Sequence, residues 1–143
     1  MQENIGMLIV MELNEIIATC ESINVYNDGK MTVYGQNTAP YNQVVEGWAV
    51  LCKNAREMPA FGVSLNNETI EARNVGLWVE FVFDKQYSHN NMTFEKLLVK
   101  VEKEWRGFNI VRYSQSGGYS GRCYYFDLVD KDMSNFYDIL INL

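Results

Sequence analysis

The sequence predicts an α+β domain: a mainly antiparallel sheet of about five to six strands with about three to four helices packed largely on one face. Three observations predict it. Several stretches repeat apolar residues at helical spacing. Others alternate apolar and polar residues with the period of a strand. Two pairs of β-rich runs flank short glycine-containing turns, so consecutive strands fold back on each other without a crossover.

Ile5, Leu8, Ile9, Leu13, Ile16, Ile17 and Cys20 recur at helical spacing and predict a first amphipathic helix over roughly residues 4–21. The run INVY-NDGK-MTVY follows, with Asp28-Gly29 at its centre. Both central residues of a type I′ turn need positive φ, which aspartate and glycine tolerate. Pairing Asn27 with Lys30 then puts Ile23, Val25, Thr32 and Tyr34 on one face, and Tyr26, Met31 and Val33 on the other.

Thr38 or Ala39 is expected to cap a second helix, with Pro40 tolerated in its first turn. Its apolar stripe is Tyr41, Val44, Val45, Trp48, Leu51, Cys52 and Ala55, and Pro59 lies beyond its end. Phe61, Val63 and Leu65 suggest a short strand, and Asn67 suits the cap of one helical turn that Gly76 stops. Leu77, Val79, Phe81 and Phe83 alternate with Trp78, Glu80, Val82 and Asp84 as in a strand. A polar loop over Tyr87 to Asn91 leads to Thr93 as the expected cap of a third helix. Phe94, Leu97, Leu98, Val101 and Trp105 would form that helix's buried face. Strands over 108–114 and 121–129 form a second hairpin, and Asp132 or Ser134 caps a last helix carrying Phe136, Ile139, Leu140 and Leu143. The strand–helix–strand–strand–helix order of the second half resembles part of a ferredoxin-like unit, a likeness of fold that carries no function.

The 143 residues suffice for one domain with about two-thirds of its surface buried. Residues 1–10 read as an N-terminal extension or the start of the first helix, with Met7 or Met11 as alternative starts, and 11–143 as a single α+β domain. The opening MQENIGMLIV carries Glu3, no basic residue and only a short apolar run, so it does not fit a signal peptide. No run reaches the length of a membrane helix. With 48% hydrophobic and 21% charged residues the chain is not disordered, and a net charge of -6 argues against a duplex nucleic-acid binder. Cys20, Cys52 and Cys123 are widely spaced within apolar patterns, giving neither a zinc motif nor a disulfide framework. The expected compartment is the cytoplasm, and neither a cofactor nor a metal is expected.

The stretch from Trp105 to Phe126 contains Arg106, Arg112 and Arg122, three of the chain's five arginines, and no acidic residue. It also holds SQSGGYSGR and Tyr113, Tyr119, Tyr124 and Tyr125. Guanidinium groups fork onto carboxylate or phosphate, glycine lets backbone N–H groups approach an anion, and tyrosine offers a ring face and a hydroxyl. A small anionic ligand held by Arg112, Arg122, Tyr113, Tyr119, Gly117 and Gly118 is therefore the candidate site. A structural role accounts for the same residues: Gly117-Gly118 suits a hairpin loop, and Arg112 or Arg122 pairs with Glu80 or Asp84. The segment is neither a Walker A loop nor a dinucleotide fingerprint, because a strand follows it.

Glu80 and Asp84 stand roughly 13 Å apart along an extended strand, too far for a local pair of glycosidase carboxylates at about 5 Å. His89 is the sole histidine, and a Cys123–His89–Asp127 constellation has no local mark of a nucleophile. Trp78, Tyr26, Tyr119 and Tyr124 fall on or near faces opposite the main apolar stripes, where a protein interface, a second layer or a homodimer would cover them. The resulting expectation is a non-catalytic cytosolic binding module of inhibitor or immunity type, for a protein partner or a small anionic ligand. The alternative is a small enzyme with a site built from Arg112, Arg122, Glu80 or His89.

Overall fold

The computed structural model describes residues 14–53, 74–89, 92–101, 109–113, 123–125 and 130–143. After a helical segment at 14–18 come β1 (Ser22–Asn27), β2 (Lys30–Gly35) and α1 (Ala39–Lys53). β3 (Leu77–His89), β4 (Met92–Val101), β5 (Asn109–Tyr113), β6 (Cys123–Tyr125) and α2 (Asp130–Ile141) follow. The fold is α+β with an antiparallel sheet, its strands ordered β2-β1-β3-β4-β5-β6.

The hairpin of β1 and β2 has the register that its turn chemistry demands. Asn27 pairs with Lys30, Val25 with Thr32 and Ile23 with Tyr34. Asp28 and Gly29 take φ values of 48° and 86°, both in the left-handed region that a type I′ turn requires. The turn is also tied to the start of β3. Gly76 N donates to Asp28 Oδ1 at 2.8 Å, and Asp28 N donates to Gly76 O at 2.9 Å.

Thr38 caps α1: its Oγ1 accepts the Tyr41 amide at 3.2 Å and donates to Gly35 O at 2.9 Å. The helix buries Tyr41, Val44, Gly47, Trp48, Leu51 and Cys52; of the expected stripe Val45 is half-buried, Ala55 lies outside the described residues, and Gly47 is added. Trp48 stands edge-on to Phe81 of β3, with ring centroids 5.3 Å apart, and to Phe136 of α2 at 6.5 Å. The core lies between these helices and the sheet face bearing Ile23, Val25, Val79, Phe81, Leu97 and Val99.

Tyr41 fastens the preceding helical segment. Its hydroxyl donates to Cys20 O at 2.7 Å and lies within 3.4 Å of Ile17 O. With that proton on the carbonyl, the Cys20 thiol, 3.3 Å away, is left to donate to the phenol oxygen. Gln36 Nε2 adds a bond to Cys20 O at 2.6 Å. Carbonyls left over at a helix end are thus taken up by side chains from the loop and helix that follow.

One expected element is overturned. Residues 92–101 form strand β4 and not the first turns of a third helix. Leu97, Val99 and Val101 face the core, while Leu98 is 1% exposed on the other side. Apolar residues buried on both faces mimic helical spacing, whereas the β-branched Val99 and Val101 suit a strand. β3 accordingly runs through the expected polar loop to His89, with a register irregularity between Val82 and Tyr87. The likeness to a ferredoxin-like unit, which needed that helix, goes with it.

Of the expected first helix and of the strand at 121–129, the described residues 14–18 and 123–125 are helix and strand. The strand expected at 108–114 spans 109–113, and the last helix starts at Asp130, two residues before the earlier expected cap. Residues 1–10, the strand at 61–65 and the turn at 68–73 lie outside the described residues.

Candidate functional site

β5 pairs with β4 so that Arg112 is opposite Leu97 and Tyr113 opposite Lys96. Arg112 therefore belongs to the cross-strand row of Phe81 and Leu97, whereas Glu80 belongs to that of Asn24, Leu98 and Val111. Gly117, Gly118, Tyr119, Arg122 and Asp127 lie outside the described residues. His89 ends β3 opposite Met92, nine positions from Glu80, roughly 30 Å along an extended strand. The two are not brought together.

Glu80 occupies the centre of the sheet, on the face away from the helices, and is 1% exposed. Asn24 Nδ2 donates to its Oε1 at 2.8 Å, and the Tyr26 hydroxyl does so at 3.3 Å. Both donors come from β1, whose register sets Asn24 directly opposite Glu80. A carboxylate buried to this degree needs such donors to offset its lost hydration. Trp78, expected on an open face, is 3% exposed: its indole N–H donates to Val75 O at 3.2 Å. The Lys100 ammonium stands 5.9 Å from the Trp78 ring centroid. This second face is therefore closed at its centre, and Tyr26 is half-buried against Glu80. Tyr124 shares the cross-strand row of Ile110 and Val99.

The thiols of Cys20 and Cys52 are buried and free. Burial raises the Cys20 thiol to about 11, with the Tyr41 hydrogen bond opposing the rise, and burial pushes Cys52 well above its ordinary value. Both favour the neutral thiol, as expected of small core hydrophobes and not of nucleophiles. Burial likewise raises the Tyr41 phenol, helped by its bond with Cys20. No group of three or more His, Cys, Asp or Glu side chains placed to hold a metal occurs among the described residues. No helix among them is long and apolar enough to cross a membrane.

Convergent polar groups do meet in the helix layer. A cleft of about 280 Å³ runs between α1 and α2. From α1 it is lined by Gln43, Glu46, Gly47 and Val50, and from α2 by Asp132, Asn135, Phe136 and Ile139. Each set has the spacing i, i+3, i+4, i+7, which keeps its four residues on one side of a helix. Gly47 sets the closeness of the two helices. A Cβ there would lie 2.7 Å from Phe136 Cδ1 and 3.1 Å from Ile139 Cδ1. The cleft therefore has an apolar floor, with two carboxylates and two amides around it.

Sequence reasoning missed this cleft because its walls come from segments almost ninety residues apart. One signal was available. A glycine in the middle of an apolar helical stripe weakens the helix unless another element needs the room. Comparisons of the chain with protein-family models, curated proteins and solved structures give no match.

Proposed function

We propose that the chain is a non-catalytic binding module of the cytosol that engages a protein partner, and that the partner seats a lysine or arginine side chain in the cleft between α1 and α2. The observation that supports this reading is the pairing of Glu46 and Asp132 with a floor of Val50, Phe136 and Ile139. A basic side chain lays its aliphatic stem on such a floor and presents its charge to the carboxylates. Val50, 47% exposed, is an apolar residue the partner would cover. The net charge of -6 favours approach of a basic surface. A protein partner is preferred to a small anionic ligand because this cleft carries carboxylates, which repel an anion. An enzyme site is not favoured either: the described thiols are held neutral, and Glu80 is enclosed far from His89.

Photo-crosslinking from Gln43, at the cleft, identifies the partner, and calorimetry with the purified pair tests the chemistry. The expected result is that E46Q/D132N weakens binding by about tenfold or more, as loss of a charge-assisted contact does, and flattens its salt dependence. A partner that binds the double variant as tightly as the native chain would refute the proposal, as would a total lack of crosslinks.

A further inference from the structure

The cleft between α1 and α2 is lined by two anions, Glu46 and Asp132, and by no cation among the described residues. How far apart the two stand along the cleft follows from the close approach at Gly47. A Cβ at that position would meet both Phe136 and Ile139, so Gly47 lies level with that stretch of α2. Glu46 is the residue next to Gly47 and shares its level. Asp132 precedes Phe136 by four positions and Ile139 by seven. At a helical rise of about 1.5 Å per residue, this sets Asp132 roughly 6–10 Å further along the cleft. The two carboxylates also stand on opposite walls, and Phe136 lies between them in the floor. Each has an amide three positions away on its own helix: Gln43 beside Glu46, and Asn135 beside Asp132. The cleft thus carries two carboxylate–amide pairs, one on each wall, with apolar surface between.

We infer that the cleft takes two cationic groups at once, one at each carboxylate–amide pair, joined by an apolar stem over Phe136. This rests on the reading of the cleft as the seat of a basic side chain and adds a second cation to it. The occupant is a segment of the protein partner that carries two basic side chains with their charges roughly 6–10 Å apart. Charge selects it. An ammonium bonds a carboxylate oxygen at about 2.7–2.9 Å, so at such an offset each carboxylate takes a cation of its own. A partner with one basic side chain would close over the cleft and leave the other carboxylate dry and unpaired, which is costly. The neighbouring amide oxygens accept a further N–H from each cation.

Nuclear magnetic resonance titration of the full chain at low salt, with small amines as probes, tests the inference. Cadaverine is a flexible diamine long enough to bridge the offset, and pentylamine has the same stem with one ammonium. Cadaverine should bind about fivefold or more tighter, because its second contact is intramolecular. Ethylenediamine, doubly charged but too short to bridge, should not share that gain. E46Q and D132N should each bring cadaverine down to the affinity of pentylamine. A gain of no more than about twofold, the statistical factor for two equivalent amines, overturns the inference. So does a gain that ethylenediamine shares, or one that either variant leaves intact; pentylamine binding would then still uphold a seat for one cation. If no amine shifts the resonances of the cleft, the second cation fails together with the first. With the crosslinked partner, E46Q and D132N should each account for part of the weakening that E46Q/D132N produces. A single variant that accounts for all of it again overturns the second cation.

Discussion

Replacing Gly47 with alanine sets two effects of opposite sign against each other. Alanine is favoured over glycine inside a helix by about 1 kcal/mol. The new methyl group, however, would stand 2.7 Å from Phe136 Cδ1 and 3.1 Å from Ile139 Cδ1. The first distance is too short for any real contact, so a neighbour must move. Phe136 has little freedom to do so, being buried with its ring edge-on to Trp48. Overpacking of this kind costs about 1–3 kcal/mol, so G47A should be destabilised by about 1 kcal/mol net. Urea unfolding would show a lower midpoint at unchanged slope. F136L removes the ring edge at a cost of its own, and that cost should be smaller in G47A than in the native background. The expected coupling is about 0.5–2 kcal/mol. A G47A chain more stable than the native one, or additive free energies in the cycle, would refute the argument that Gly47 sets the distance between α1 and α2.

Y41F keeps the buried ring but removes the donor to Cys20 O, and should cost about 1–2 kcal/mol; an unchanged urea midpoint would contradict it. The Cys20 thiol titrates near 9.0 when unfolded and at about 11 when folded, so the native state binds more protons between those values. Its contribution is complete below pH 9 and is lost as pH rises through 11. The difference corresponds to about 3 kcal/mol at most. Cys52 shifts in the same direction, so thermal midpoints should fall from pH 9 upward, and C20A should flatten that fall. E80A leaves the Asn24 amide and the Tyr26 hydroxyl without their acceptor and should cost about 2–3 kcal/mol. E80Q keeps an acceptor and should cost less, and denaturant curves showing equal losses would contradict that assignment.

Elements whose signals are local were readable from the residues alone. Asp28-Gly29 specifies a turn, the turn specifies the Asn27–Lys30 pair, and that pair specifies the faces of both strands. The stripe of α1 was equally plain, because one of its sides is wet. β4 was misread since Leu97 and Leu98 are buried on opposite faces, and periodicity reports only the contrast between a dry side and a wet one. Trp78 and Glu80 show the same limit. Their strand was recognisable, but whether its second face is covered depends on segments remote in sequence. Of the candidate site, Gly47 was the one residue whose oddness was visible beforehand. That Glu46 and Asp132 share a cleft follows only from the packing of α1 on α2.

The position of β1 between β2 and β3 carries a consequence for how the chain acquires its fold. Val25 meets Thr32 across a turn of two residues, but it meets Val79 only after 54 further positions. Closing a loop of that length costs about 3–4 kcal/mol of chain entropy before any of the ladder's bonds form. The β1–β2 hairpin should thus arise early, on its own local contacts, with the β3–β4 hairpin as a second unit. Their joining, sealed by the paired bonds between Asp28 and Gly76, is the late step. On the ribosome, Val82 must emerge before β1 gains its inner neighbour. Until then the newborn hairpin has two open edges, and the strand destined for the interior offers a stranger the backbone groups that β3 later takes.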